Sequence, residues 1–266
     1  MRRITLFIKG NVDVYDSLHS CRVGGRVMWN GLNEVLRPLG VAARLKHETA
    51  TGAQALLEAT GAVPAEIAEF GPQLGAYPLD SQFSAQFFNA EADACILSVM
   101  PEIAARLVRH REKRFLFFPY EAAAWPTALR EKLAREFVDV GPSSVERSMA
   151  AFEGVLERLA ARSSAPVLIY NLSCVAPGEF IHCHLGLEDA FSTLARRFNL
   201  ALAELSARTG VSIIDVDAVL AREGAERLKL DATHLTAEGC RLVAQEVARV
   251  LADLGVLEPE SACARA

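Results

Sequence analysis

The sequence predicts an α/β fold, a three-layer α/β/α sandwich around a central parallel sheet. Short runs of continuously apolar residues, such as residues 94–99, have the length of strands that are buried on both faces. Longer stretches with apolar residues at helical spacing, such as residues 148–161, stand between these runs. Alternation of the two kinds of segment is typical of a parallel sheet that helices cover on both sides.

The predicted strands are apolar runs bounded by residues that interrupt strands. Gly40 precedes the second run, Pro119 closes the fourth, and Gly210 precedes the last. In chain order the predicted strands cover residues 4–8, 41–46, 94–99, 114–118, 167–170 and 211–216.

The predicted helices begin at capping residues or prolines and end at glycines or prolines. Pro126 starts one helix, Thr236 with Glu238 starts the last, and Gly210 follows the longest. Helices are predicted over residues 27–36, 53–59, 81–89, 103–109, 127–136, 148–161, 190–209 and 236–254, and residues 9–25 and 61–80 are predicted as turn and loop.

The chain has 266 residues, 51% of them hydrophobic, and a net charge of -5. We expect a single domain over residues 1–257, with an insertion near residues 113–141 and a disordered tail at residues 258–266. Because no apolar run approaches the roughly 18 residues of a membrane span, and the apolar run near the N-terminus is shorter than a signal-peptide core, we expect a cytoplasmic protein without a membrane partner. The acidic balance argues against a nucleic-acid partner, which clustered Lys and Arg would have to bind.

Asp231 and His234 are the most informative polar pair in the sequence. They stand three residues apart, just before the last predicted helix. A carboxylate on one ring nitrogen fixes the tautomer of a histidine and leaves the other nitrogen free to act as a base. One loop can therefore present both groups to one site.

The surroundings of this pair resemble the last block of the SGNH (GDSL-type) hydrolases. Residues 231–239 read Asp-x-x-His-Leu-Thr-x-x-Gly, and the apolar run that ends at residues 213–217 precedes them. The strand at 167–170, the loop with Pro177 and residues 197–199 also follow that family's order, so the resemblance covers the chain loosely and the last third well. It implies a flavodoxin-like strand order, hydrolysis or transfer of an ester-linked acyl group, and a Ser-His-Asp triad completed by Asp231 and His234, with no cofactor and no metal.

The family's first block, Gly-Asp-Ser-Leu after the first strand, has two matches here. By strand position the match is Gly10-Asn11-Val12, and by letters it is Tyr15-Asp16-Ser17-Leu18. We take Ser17 as the predicted nucleophile. The alternative is that Ser17 caps a turn and that Asn11 sits at the site as a hydrogen-bond donor.

The resemblance also implies donors for an oxyanion. Gly52 follows the second predicted strand and matches the family's second block, whereas the Gly-x-Asn-Asp of the third block is replaced by residues 98–102. Because that asparagine is missing, Asn11 or Asn171 is the candidate for the second donor. His19 forms a polar cluster with its neighbours after the first strand, and this cluster can line the pocket or replace the usual nucleophile machinery.

Two further features bear on function. His182 and His184 alternate as metal ligands can, but we expect a polar loop there because a zinc site needs a third ligand. The weakened first and third blocks leave a second hypothesis beside the hydrolase or acyltransferase, namely a binding module that has lost catalysis. The expected partner is a small-molecule or saccharide ester for the enzyme, and a saccharide or biosynthetic intermediate for the binding module.

Overall fold

A computed structural model describes residues 1–23, 25–179 and 189–258. Its strands are β1 Arg2–Lys9, β2 Cys21–Val23, β3 Arg26–Trp29, β4 Val41–Glu48, β5 Ala94–Ser98, β6 Val108–His110, β7 Leu116–Phe117, β8 Phe137–Asp139, β9 Val167–Tyr170 and β10 Ser212–Ile214. Its α-helices are α1 Val12–Leu18, α2 Asn33–Leu36, α3 Ala53–Glu58, α4 Leu79–Gln82, α5 Met100–Ala104, α6 Thr127–Glu136, α7 Val145–Ala160, α8 Phe191–Thr209, α9 Val216–Glu223, α10 Ala225–Leu228 and α11 Ala237–Asp253.

The predicted α/β fold with a central parallel sheet is confirmed. Five strands form the sheet in the order β10-β9-β5-β1-β4. Counted along the chain, this is the flavodoxin-like order 2-1-3-4-5. Ile8 pairs with Ile96, Leu97 with Ile169, and Ile214 with Tyr170, all in parallel register. The carboxyl ends of these paired strands therefore lie along one edge, and the segments that follow them are the place to look for a site.

The chain forms two compact units. The first consists of Met1–His47, Glu91–Ser98 and Ser164–Ala266, and it contains the sheet. Its core joins inward side chains of the strands to the apolar stripe of α11. All five residues of β5 are buried, as expected for a central strand that is covered on both faces.

The second unit consists of Glu48–Ala90 and Val99–Ser163. It contains a three-stranded antiparallel sheet in the order β7-β6-β8. Phe70 and Phe117 stack at 5.7 Å between ring centroids, and Trp125 and Phe137 join the same apolar cluster. The prediction of a single domain with an insertion near residues 113–141 stays a prediction. The predicted tail lies outside the described residues from residue 259 onward.

The region around residues 9–36 differs from the prediction. The expected turn contains α1, and the first part of the expected helix at 27–36 is strand β3, which pairs with β2 as a hairpin. Gly25, at a φ of 78°, reverses the chain there. Gly31, at a φ of 87°, lies between the hairpin and the short helix α2. This left-handed conformation would strain a residue with a side chain, so the position favours glycine.

Three other predicted elements are shorter or of a different type. The expected loop at 61–80 includes a 3-10 helix over Ala65–Gln73, and the expected helix at 81–89 is replaced by α4 and a 3-10 turn at Gln86–Phe88. The expected helix at 103–109 is split between the end of α5 and strand β6, the central strand of the three-stranded sheet. In the part of the chain that the structure describes, no helix combines the length and apolar character needed to cross a bilayer.

Candidate active site

Asp231 and His234 face each other in the loop between α10 and α11. The imidazole Nδ1 lies 2.8 Å from Asp231 Oδ2 and 3.0 Å from Oδ1. The backbone N–H groups of Thr233 and His234 also donate to Oδ1, at 2.7 and 2.8 Å. Partial burial raises the pKa of Asp231, but these backbone donors and the imidazole outweigh it and bring the pKa down to about 2. The carboxylate is therefore ionised at neutral pH and favours the tautomer of His234 that carries its proton on Nδ1.

The loop that carries this pair is closed by its own backbone. The Leu230 N–H donates to His234 O at 2.9 Å, and the Thr236 N–H donates to Leu228 O at 2.8 Å. Thr236 then caps α11 by accepting the Gly239 N–H. A Cβ on Gly239 would lie 2.7 Å from Leu228 O, so the last position of the motif requires glycine.

Helix α1 follows β1 at the same edge of the sheet, after Gly10 and the buried Asn11. Ser17 lies on its inward face and is 0% exposed. Its hydroxyl lies 3.1 Å from Val14 O, 3.4 Å from Asp13 O and 3.3 Å from Tyr170 Oη. The structure does not bring Ser17 into hydrogen-bond contact with His234.

Asp16, the residue before Ser17 on α1, interacts with His234 through its charge. Burial raises its pKa, and the attraction of the His234 imidazole opposes that rise. The His234 imidazole therefore has carboxylates from two segments near it, Asp231 in hydrogen-bond contact and Asp16 through its charge.

Asp13 forms a buried polar pair with Ser98, the last residue of β5. The Ser98 hydroxyl donates to Asp13 Oδ2 in a short hydrogen bond. The other carboxyl oxygen, Oδ1, is shielded from solvent and has no hydrogen-bond partner in the described part of the chain. Burial raises the pKa of Asp13 to about 6, although the Ser98 hydroxyl and nearby backbone groups oppose the rise.

His19 belongs to a stack of three rings beside these groups. Its ring lies 4.6 Å from that of Tyr15 and 5.1 Å from that of His47, between centroids. His47 reaches the end of β1, where its Nε2 lies 2.9 Å from Gly10 O. Burial, reinforced by His47, lowers the pKa of His19 to about 4. His19 is therefore a neutral, stacked side chain at neutral pH.

Gly52 and Glu102 lie in the second unit. Gly52 precedes α3 with a φ of 130°, and a Cβ there would lie 3.4 Å from Glu102 Oε1. The buried Glu102 carboxylate accepts from Ala53 N at 2.5 Å and from the Ser148 hydroxyl at 2.7 Å. The chain thus places a carboxylate where the family has its third block, and this carboxylate fastens the backbone next to Gly52.

Asn171 follows β9 and is held on both sides of its amide. Its Nδ2 donates to Asp215 Oδ1 at 2.8 Å, and its Oδ1 accepts the Asp217 N–H at 3.2 Å. These bonds tie the segment after β9 to the start of α9, so the amide braces two loops. Asn171 as an oxyanion donor stays a prediction.

His182 and His184 lie outside the described residues. Within residues 1–23, 25–179 and 189–258, no group of three His, Cys, Asp or Glu side chains is placed to hold a metal ion. Four polar residues of these two units have no individual role in the sequence-based prediction: Asp16, Ser98, Glu102 and Lys229.

No family model and no curated protein matches the sequence, but solved structures do. An acetyl xylan esterase is 14% identical with a TM-score of 0.51, covering 93% of this chain and 100% of its own. A member of the lipolytic G-D-S-L family from Veillonella parvula is 14% identical with a TM-score of 0.47, covering 95% and 99%. A lipase/acylhydrolase from Enterococcus faecalis is 12% identical with a TM-score of 0.49, covering 96% and 97%.

At these identities the likeness concerns the fold alone. The likeness to the acetyl xylan esterase, with a TM-score of 0.51, is the one that supports this fold. The predicted α/β fold is thereby supported, and the resemblance to the SGNH hydrolases holds at the level of the fold. The chain has the fold of the SGNH hydrolases.

Proposed function

We propose that this protein hydrolyses an ester, or transfers its acyl group to an acceptor hydroxyl, with His234 as the general base. The observation that carries the proposal is the contact of His234 Nδ1 with both oxygens of Asp231. This contact leaves the lone pair on Nε2, and the His234 side chain is 45% exposed, so a substrate can reach it. A small-molecule or saccharide ester is the proposed substrate class, and the fold shared with an esterase makes an acetyl ester the first to test.

The observations favour a direct attack by water or by the acceptor hydroxyl over an attack by Ser17. Ser17 is fully buried, and its hydroxyl bonds to a carbonyl of its own helix and to Tyr170. A nucleophile must be within hydrogen-bond reach of its base and of the substrate. Ser17 as the nucleophile is the alternative that the experiment separates.

In the proposed step, the oxygen of the attacking water or acceptor hydroxyl bonds to the acyl carbon. His234 Nε2 takes the proton of that water or hydroxyl at the same time. The tetrahedral intermediate then loses its alcohol, and the protonated imidazole returns the proton to that leaving oxygen. Asp231 and Asp16 both stabilise the imidazolium that forms between these events, because both place negative charge near the ring. Gly52 stays a predicted oxyanion donor, with Asn11 or Asn171 as the second, and the step needs no cofactor.

The test is the hydrolysis of p-nitrophenyl acetate by the wild type, by two variants and by one control variant. We expect His234→Gln to lower kcat by about 100-fold or more, the usual contribution of a general base. Ser17→Ala should keep most of the activity. Ser206→Ala is its matched control, because the Ser206 hydroxyl also bonds to a carbonyl near its own helix.

Each outcome decides between the hypotheses. Loss of activity in Ser17→Ala, with Ser206→Ala unaffected, would restore the serine mechanism. Activity in His234→Gln equal to that of the wild type would overturn the assignment of the base. Hydrolysis at the level of buffer for the wild type and both variants, over a panel of acetyl and longer acyl esters, would favour the binding module.

A further inference from the structure

Lys229 is a buried ammonium directly beneath the loop that carries Asp231 and His234. It is 6% exposed. Both of its neighbours in the sequence are leucines, a setting in which a lysine is usually exposed. Its Nζ donates to Ala232 O at 3.0 Å and to Val175 O. Both acceptors are backbone carbonyls, so this cation joins two loops and has no carboxylate in hydrogen-bond contact within the described chain.

The two loops that Lys229 joins lie at the carboxyl edge of the sheet. Val175 belongs to the segment after β9, and Ala232 lies between the two members of the proposed dyad. The peptide unit that contributes Ala232 O also contributes the Thr233 N–H, which donates to Asp231 at 2.7 Å. That one peptide is therefore fixed at its oxygen by Lys229 and at its nitrogen by Asp231.

Burying an ammonium for this purpose is energetically costly. Burial lowers the pKa of Lys229 to about 8, even though the charges of Asp231 and Asp217 act in the opposite direction. A buried charge contributes little or no net stability compared with an apolar side chain of similar volume, but it can specify one geometry. The interaction therefore points to a role in alignment.

We propose that Lys229 is a positioning residue, whose ammonium holds the Ala232–Thr233 peptide so that Asp231 stays aligned with Nδ1 of His234. This inference rests on the proposed function of His234 as a base. It predicts that removing the ammonium frees the peptide to rotate, weakens the Asp231 contact and lets the proton of the imidazole move from Nδ1 to Nε2. A base protonated on Nε2 cannot accept the proton of the attacking hydroxyl.

The experiment compares Lys229→Met with the wild type and with Lys132→Met. Methionine keeps the length of the stem and removes the charge and the donors. Lys132 is the matched control, since its Nζ also donates to a backbone carbonyl, Glu66 O at 2.9 Å, in the second unit. The readouts are the tautomer of His234, from two-bond ¹H–¹⁵N correlation spectra of labelled imidazole, the thermal midpoint and the hydrolysis of p-nitrophenyl acetate.

We expect Lys229→Met to shift the His234 tautomer from Nδ1–H toward Nε2–H and to lower kcat about 10- to 100-fold, with KM little changed. Lys132→Met should change neither. A folded Lys229→Met protein with the wild-type tautomer overturns the inference, whatever its activity.

The tautomer separates this inference from the proposed function. If the wild type hydrolyses no ester, the tautomer still tests the role of Lys229. If Lys229→Met does not fold, Lys229→Gln serves instead, because it keeps one donor, and its spectrum should show a partial shift. A folded Lys229→Gln protein whose tautomer equals that of the wild type would then overturn the inference.

Discussion

Asp13→Asn should stabilise the protein at neutral pH. Asp13 is the carboxylate at the start of α1 that accepts from Ser98 through Oδ2 and has an unpartnered, solvent-shielded Oδ1. Asparagine has the same shape, and its Oδ1 can accept the Ser98 hydroxyl. The substitution therefore removes the charge and keeps the packing and the hydrogen bond from Ser98. Its cost is a buried amide N–H₂ group in the place of the unpartnered Asp13 oxygen.

The magnitude follows from the pKa of Asp13, which burial raises from 3.8 to about 6. At about 1.4 kcal/mol per pH unit, this difference corresponds to about 3 kcal/mol of free energy of unfolding. Between these two pKa values the folded state binds more protons than the unfolded state, so the contribution of Asp13 to stability falls as pH rises from 4 to 6. Above pH 6 the full penalty is present, and below pH 4 it is absent.

The assay is urea denaturation of the wild type and Asp13→Asn at pH 4 and at pH 7. The other titrating groups are common to both proteins and largely cancel in the difference. We expect the variant to gain about 3 kcal/mol relative to the wild type between the two pH values. Asp253→Asn, at an exposed position on α11, is the control and should show no such gain. A difference between Asp13→Asn and the wild type that is constant with pH within about 0.5 kcal/mol would refute the reasoning.

Three further substitutions test other contacts. Gly31→Ala should destabilise the protein by more than about 3 kcal/mol in thermal unfolding, because φ is 87° and the new Cβ would lie 2.0 Å from His19 O. Tyr170→Phe should lower the free energy of unfolding by about 1 kcal/mol in urea titrations, since it removes the hydrogen bond to Ser17, and should leave ester hydrolysis unchanged. Asp231→Asn should lower kcat by roughly 100- to 10,000-fold in the p-nitrophenyl acetate assay, because an amide N–H₂ in place of the carboxylate favours the wrong imidazole tautomer; a kcat within a factor of about three of the wild type would contradict the orienting role of Asp231.

The helices that the sequence placed well are those whose ends carry local signals. Thr236 caps α11 as predicted, Gly210 ends α8 in a left-handed conformation, and Pro126 precedes α6. Helix α1 has Asn11 at its N-cap, but that side chain makes no capping hydrogen bond, and the helix is held by contacts distant in sequence. Trp29, for example, donates its indole N–H to Ser17 O at 2.9 Å. Local composition therefore predicts a turn where packing stabilises a helix.

The candidate site divides in the same way. The contact between Asp231 and His234 could be predicted, because the two residues stand three apart in one short loop before a helix. That spacing places both side chains close together. The direction of Ser17 could not, since each residue of a helix is rotated by about 100° from the last and the start of α1 was not recognised. That rotation separates inward-facing Ser17 from Asp16, whose charge reaches His234. Lys229 was missed because a lysine between leucines is usually exposed.

The loop before α11 has a consequence for how this protein can change its chemistry over time. The proposed base, the carboxylate in contact with it and the start of the following helix all lie within residues 231–239, and hydrogen bonds among residues 228–239 hold them. None of these hydrogen bonds involves a residue of α1. Under the proposed function, a change of nucleophile in α1 would leave the base and its carboxylate in place, so one frame could serve hydrolysis, acyl transfer or binding.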